Sequence, residues 1–199
     1  MALGSLGVNP PPKPLADAEL ALRAMREGDI ALMLEWLARP EVAAWYGGRD
    51  QSLDPARMRA KYMARLQGES EVCPCIIEVG ARAVGYLQHY PVLRAQDYAL
   101  DEAEGVHGVD LFIGEPRLWG AGLGTRVLRL LLAHLFDERG AQQIVMDPRV
   151  VNRRAIRCYE KAGFVKVKLL PRHERHEGEL CDCWLMMAES AGPPLRRAL

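Results

Sequence analysis

Three stretches of this chain carry residue types at spacings that chemistry uses. The first is Gly114 to Thr125, GEPRLWGAGLGT, where Gly120, Gly122 and Gly124 alternate directly into a long apolar-faced segment. Glycines let backbone N–H groups crowd a ligand without side-chain interference. A helix start adds unpaired donors and a partial positive charge, so the combination forms an anion site suited to phosphate. The spacing is neither the Gly-Lys-Ser/Thr of a triphosphate loop nor the GxGxxG dinucleotide fingerprint. A glycine turn for tight strand–helix packing is the other reading. The second stretch is Asp147 to Phe164, DPRVVNRRAIRCYEKAGF. Asp147 and Pro148 end an apolar strand, where open α/β sheets place ligands. Asn152 opens the following helix, and Tyr159 lies one to two turns along it, on a face shared with Ile156. A phenol keeps its proton to pH ~10 and so can act as a general acid; a satisfied core aromatic is the alternative. The third feature is Asp110, a carboxylate in the apolar run GVDLFI. Such a group is costly to bury unless paired. That favours a functional carboxylate over one on the sheet's wet face or in a structural ion pair.

These groups need elements to position them. Alternation predicts strands over residues 19–25, Cys75–Val79, Ala83–Tyr90, Val106–Ile113, Gln142–Met146, Phe164–Leu170 and Cys181–Met187. Helical spacing predicts Asp29–Leu37, a turn over Val42–Tyr46, Pro55–Gln67, Gly122–Phe136 and Asn152–Ala162, the last closed by Gly163. Pro40 is read as a stop. The resulting order is β-α-α-β-β-β-α-β-α-β-β, an α/β (α+β) fold with one mixed central sheet flanked by helices. Residues 1–18, with Pro10, Pro11, Pro12 and Pro14, are read as a flexible arm. Residues 19–190 are read as one domain and 191–199 as a tail.

Composition narrows the function classes. The chain has 199 residues, with 26 Lys plus Arg against 26 Asp plus Glu, so its formal net charge is zero. A general nucleic-acid binder needs a basic excess. No run of apolar residues approaches the ~18 of a membrane span, and no signal peptide is expected. Five cysteines without a scaffold spacing fit a reducing, cytoplasmic setting. Cys73–Cys75 and Cys181–Cys183 are CxC pairs, not zinc spacing, so no metal is expected. His173 and His176 fall in a charged segment, RHERHEGE, read as a mobile hairpin near the acceptor mouth. Cys158 is read as non-catalytic.

The glycine turn, long helix, strand, Asp-Pro and Asn-x-x-Ala-x-x-x-Tyr-x-Lys-x-Gly-Phe together resemble the GNAT acyl-CoA N-acyltransferases. Residues 35–48 (EWLARPEVAAWYGG), 84–90 (VGYLQHY), 108–115 (GVDLFIGE) and 155–164 are similar to aminoglycoside 6′-N-acetyltransferases. The resemblance implies acetyl-CoA as cosubstrate. Its pyrophosphate would lie on Gly120, Ala121, Gly122, Leu123, Gly124 and Thr125. Its pantetheine would pair with exposed backbone at Phe112 and Ile113, with Asn152 at its side and Tyr159 protonating the leaving thiolate. The superfamily usually has Gln or Arg where this chain has Trp119, so Arg117 or Arg126 is expected to supply the charge there.

The same resemblance implies a polycationic acceptor, which carboxylates would attract, orient and deprotonate. Asp110 and Asp147 lead. Asp101, Glu102 and Glu104 read equally as a solvated loop. Trp45 and Tyr46 are read either as a wall for sugar faces and cations or as core. Gln88 is placed in the acceptor pocket, and His89, facing the other way, is read as structural. The expected reaction is direct attack of the aminoglycoside 6′-amine on the thioester. The rivals are an acetyltransferase for a hydroxylated amine in siderophore biosynthesis and a non-catalytic acyl-CoA sensor. The net charge of zero is expected to hide a positive donor end and a negative acceptor end.

Overall fold

The computed structural model describes residues 15–17 and 19–190. Its elements are β1 (Leu15–Asp17), β2 (Leu20–Ala24), α1 (Ile30–Leu37), α2 (Pro40–Ala43), α3 (Pro55–Leu66), β3 (Cys73–Val79), β4 (Arg82–Pro91), β5 (Val106–Ile113), α4 (Leu123–Ala133), β6 (Gln143–Met146), α5 (Arg153–Ala162), β7 (Val165–His176) and β8 (Glu179–Glu189). The strands form one sheet in the order β1-β2-β3-β4-β5-β6-β8-β7. Neighbours run antiparallel except β5 and β6, which are parallel. This is the mixed sheet expected from the sequence.

Helices cover both faces. On one, Met33, Trp36, Tyr62, Ile76, Tyr86 and Phe112 form the core under α1, α2 and α3. On the other, Val127, Leu128, Leu131, Leu135, Ile144 and Phe164 pack under α4 and α5. Burying these side chains removes apolar area from water, the main force holding the layers together. The two-residue repeat of β4 sends Gln88 to the α3 side and His89 to the α4 side. Both are buried.

The register of β5 and β6 creates the site. They pair only through Val106↔Gln143, His107↔Ile144 and Gly108↔Val145. Beyond that point β5 stays on β4, reaching the Ile113↔Gly85 pair, while β6 turns away after Met146. One edge of β5 from Val109 onward therefore opens into a cleft.

Several boundaries differ from expectation for identifiable reasons. Leu15–Asp17, assigned above to the arm, pair with β2 as a strand. Residues 1–14, 18 and the 191–199 tail lie outside the described residues. α1 ends at Leu37, ahead of Pro40 as expected, but the short helix that follows starts at Pro40 and not at Val42, because a first-turn proline gives up no helical hydrogen bond. The long helix after the glycine turn changes to a π turn at His134–Glu138. The RHERHEGE segment is strand: β7 and β8 pair out to His176↔Glu179, with a tight turn at Glu177 and Gly178. Among the described residues, no helix is long and apolar enough to cross a membrane.

Candidate active site

The cleft holds a cavity of about 810 Å³, bounded by β5, the end of β6, the starts of α4 and α5, and the segment after α2. Its donor wall begins at Gly122, the cap of α4, with φ +81°. Only glycine takes that conformation without strain. The first helical bond here is Arg126 N–H to the Gly122 carbonyl at 3.1 Å. The N–H groups of Leu123, Gly124 and Thr125 precede it, and the cap residue, a glycine, has no side chain to bond them. Gly120, Gly122, Leu123, Gly124 and Thr125 line the cavity, while Ala121 does not.

Close packing brings α5 to the same cavity. A Cβ on Gly124 would stand 2.9 Å from the Cys158 Sγ, and the Thr125 hydroxyl donates to the Cys158 carbonyl at 3.3 Å. Asn152 caps α5, its Oδ1 accepting from Ala155 N–H at 3.2 Å. Asn152 and Tyr159 both line the cavity. Desolvation pushes the Tyr159 phenol well above its usual range, with Cys158, Asp110 and Asp147 adding to the shift. It therefore holds its proton. The Cys158 thiol is also pushed up by burial, which keeps it from being a thiolate nucleophile.

Positive charge reaches the donor wall from an unexpected element. Arg117 pairs with Glu115 at 2.9 Å and does not line the cavity. Instead Arg153, Arg154, Arg157 and Lys161 of α5 line it. Arg154 stacks 3.8 Å from the Trp119 ring centroid, and the Trp119 indole donates to the Ile113 carbonyl at 2.9 Å. Phe112 and Ile113 lie on β5 beyond its pairing with β6 and line the cavity, with the Ile113 carbonyl taken by the Trp119 indole.

The acceptor wall centres on Asp110, which Gln88 directly opposes across β4 and β5. The Gln88 amide donates to Asp110 Oδ2 at 2.6 Å. The Gln88 oxygen in turn accepts from Arg65 at 2.7 Å and from the Tyr86 hydroxyl at 2.8 Å. Gln88 therefore orients Asp110 from behind and does not line the cavity. Desolvation, then the nearby Asp147 charge, raises the Asp110 pKa to about 6, against opposing hydrogen bonds from Gln88 and Tyr90.

Asp147 lines the cavity from the end of β6. Its Oδ2 lies 2.9 Å from His173 Nε2. Glu174 adds a third carboxylate from β7, its pKa raised mainly by burial. Trp45 and Tyr46 form a side wall. Tyr46 packs on Phe112 at 4.7 Å. Trp45 lies 5.6 Å from Arg149 and 5.7 Å from Arg154. Arg149, buried, donates to the Ala44 carbonyl at 2.7 Å. Asp101, Glu102 and Glu104 are exposed on the loop before β5 and do not line the cavity.

Sequence reasoning missed Arg65, Arg149 and Arg154, and it set the segment of His173 and Glu174 near the acceptor mouth without giving either a role. The α5 cations carry a readable signal, recurring at 154, 157 and 161 along one helix. Arg65 carries none, since its position depends on tertiary packing, and the exact placement of His173 and Glu174 depends on the β7–β8 register.

A model of the acetyltransferase (GNAT) domain matches residues 26–171. The chain belongs to the GNAT acetyltransferase family. It is 36% identical over 147 residues to aminoglycoside N(6′)-acetyltransferase type 1 of Klebsiella pneumoniae, covering 73% of each chain. It is 30% identical over 155 residues to lysine N-acyltransferase MbtK of Mycolicibacterium paratuberculosis, covering 77% of this chain and 68% of that one. The solved structure of AAC(6′)-Ib in complex with ribostamycin and coenzyme A superposes with a TM-score of 0.74 at 31% identity, over 86% of this chain and 93% of that one. In this GNAT domain the glycine turn, the opened β5 edge and Tyr159 share one cleft with the three carboxylates.

Proposed function

We propose that this GNAT acetyltransferase transfers an acetyl group from acetyl-CoA to the 6′-amine of aminoglycosides and so inactivates them in the cytoplasm. One observation carries this reading: a single cleft combines open helix donors and the α5 cations with a cluster of three carboxylates, Asp110, Asp147 and Glu174, of which Glu174 faces Arg149 at 3.8 Å. That combination fits a polyanionic donor meeting a polycationic acceptor. The aminoglycoside acetyltransferases among the relatives support the same choice.

The donor end fits coenzyme A. The open N–H groups at the start of α4 suit a pyrophosphate, and the β5 edge that β6 leaves open suits the amides of pantetheine short of the Ile113 carbonyl, which the Trp119 indole takes. Acetyl-CoA supplies an activated thioester. Arg154, Arg153 and Arg157 neutralise phosphate charge. The Asn152 amide faces the pantetheine side while its oxygen caps α5. Most of the rate enhancement comes from holding amine and thioester together.

At the acceptor end Trp45 and Tyr46 offer faces to sugar C–H surfaces and ammonium groups. Asp147 and Glu174 hold outlying cations. Asp110, fixed by Gln88, orients the reactive amine and accepts its proton, directly or through one water. Its pKa of about 6 leaves it ionised at neutral pH yet basic enough for this task. Tyr159 gives its proton to the departing thiolate.

The test is thiol release from acetyl-CoA with kanamycin or tobramycin, followed by NMR assignment of the acetylated nitrogen. Release with acetylation at the 6′-amine is expected. Release only with a hydroxylamine-type acceptor would move the assignment to siderophore biosynthesis. Coenzyme A binding without turnover on any amine would make the protein a sensor.

A further inference from the structure

The imidazole of His173 is a titratable group bonded to the acceptor wall that the reaction as derived does not use. It comes from β7, at a place where that strand breaks register. Leu170 opposes Cys183 and Glu174 opposes Cys181, so three β7 residues face one residue of β8. Arg172 takes φ +52° there, and its N–H bonds Asp182 Oδ1 at 2.8 Å. A bulge of this kind re-aims a side chain and recurs beside active sites. Here it carries His173 Nε2 to 2.9 Å from Asp147 Oδ2. The imidazole is about one quarter exposed, so it exchanges protons with solvent.

We infer that His173 is a positioning residue whose protonation sets the affinity of the acceptor site for cations. This rests on the polycationic acceptor proposed above. Neutral His173 leaves Asp147 with its full negative charge while fixing the carboxylate through Oδ2. Imidazolium His173 is a built-in cation that competes with the acceptor's ammonium for the same carboxylate. Acidification thus weakens acceptor binding through His173, independently of any titration at Asp110.

The groups facing the imidazole come from several elements. They are Asp147 after β6, Glu174 on β7, and Asp97 and Tyr98 of the short turn Ala95–Tyr98, whose Tyr98 ring lies 6.2 Å away. Asp182 of β8 is engaged by the Arg172 N–H. The surrounding carboxylates favour the imidazolium, and Asp147 contributes most. By linkage, a cationic acceptor at Asp147 must lower the affinity of His173 for its proton by the same factor that protonation lowers acceptor affinity.

The test compares wild type with H173Q, which keeps a donor to Asp147 but does not titrate. The KM for kanamycin is measured from pH 8 to pH 5.5. The ratio of wild-type to H173Q values cancels the ionisation of kanamycin itself. That ratio is expected to rise about tenfold toward low pH, with the pH dependence of kcat alike in the two proteins. A ratio flat with pH would overturn the proposal. A second measurement needs neither turnover nor a folded variant at position 173: NMR titration of the His173 imidazole in wild-type protein and in D147N. The imidazole is expected to titrate lower in D147N, and lower again in wild type with kanamycin added. A titration indifferent to Asp147 would overturn the proposal even if no aminoglycoside were a substrate. Absence of thiol release with every aminoglycoside, beside an intact His173–Asp147 coupling, would instead remove the functional reading on which it rests.

Discussion

Gln88 donates its side-chain amide to Asp110 Oδ2 at 2.6 Å from the position directly opposite on the neighbouring strand. The bond fixes which way the carboxylate faces and commits one of its oxygens. Arg65 and Tyr86 fix Gln88 in turn, so the Asp110 carboxylate, the base of the proposed reaction, rests on a chain of oriented groups reaching back to α3.

Replacing Asp110 separates activity from stability. Asp110→Asn should lower kcat/KM by about 100-fold or more, in the range typical of a lost general base. The same change should stabilise the fold. The Asp110 pKa is raised from 3.8 to about 6, so the folded state binds the proton more tightly than the unfolded one. Stability therefore falls as pH rises through this window, and the cost persists at neutral pH. Removing the charge should recover about 1–3 kcal/mol, seen as a higher Tm at pH 7. Near-wild-type kinetics would sink the catalytic role, and a lowered Tm would sink the electrostatic argument. In wild type the acid limb of kcat/KM should fall near pH 6.

Tyr159 should act on chemistry more than on binding. Tyr159→Phe is expected to reduce kcat by about 10²-fold while the Kd for coenzyme A, from calorimetry, stays within about twofold. An unchanged kcat would remove it as the acid. The packing of its ring on Phe164, 6.2 Å between centroids, is kept by phenylalanine, so the variant should fold.

The stacked pair Trp119 and Arg154 should serve the donor end alone. Arg154→Ala is expected to weaken coenzyme A binding by about 1–2 kcal/mol, the scale of one charge-assisted contact. Trp119→Ala should do the same by freeing the guanidinium from its platform. Their double variant should lose less than the sum, because each acts through the other. Full additivity in calorimetric affinities would show that the two residues are independent.

His89 should make the protein acid-sensitive for a structural reason. It is 2% exposed, and neither ring nitrogen has a hydrogen-bond partner. Desolvation first, then His107, His134 and Arg139, push its pKa down to about 3. The sign follows directly. Below pH 6.5 the unfolded chain takes up a proton that the folded one refuses until about pH 3, so stability falls as pH drops. Between pH 6.5 and 5 the loss from His89 is about 2 kcal/mol. Urea unfolding at those two values should show it in wild type, with a smaller loss in His89→Leu. Equal losses in both would refute the assignment.

The residues nearest the chemistry were legible because local rules fix them. Alternation placed Gln88 and His89 on opposite faces, the glycine turn placed the start of α4, and Asn152 and Gly163 bracketed α5 as cap and left-handed terminus. An isolated carboxylate in an apolar run singled out Asp110. What escaped depends on register and bulges. Nothing local says that β7 carries extra residues before Glu174, so His173 and Glu174 looked like a charged loop. For Asp101, Glu102 and Glu104 acidic character near a strand start was legible, but that they stand outside the cavity was not, since it depends on the path of the loop before β5. The same holds for Arg117, whose engagement with Glu115 depends on the turn at Pro116–Leu118.

Arg149 joins walls of the acceptor pocket that come from distant parts of the chain. It donates to the Ala44 carbonyl, lies against Trp45 and approaches Glu174 at 3.8 Å. Under selection for a wider range of acceptors, these walls cannot drift separately. Enlarging the pocket at Trp45 strips the cover from a buried guanidinium, and neutralising Glu174 removes its counter-charge. The adaptive path to new substrates therefore runs through paired substitutions, and single changes that look permissive at the pocket surface are expected to be purged for their effect on folding.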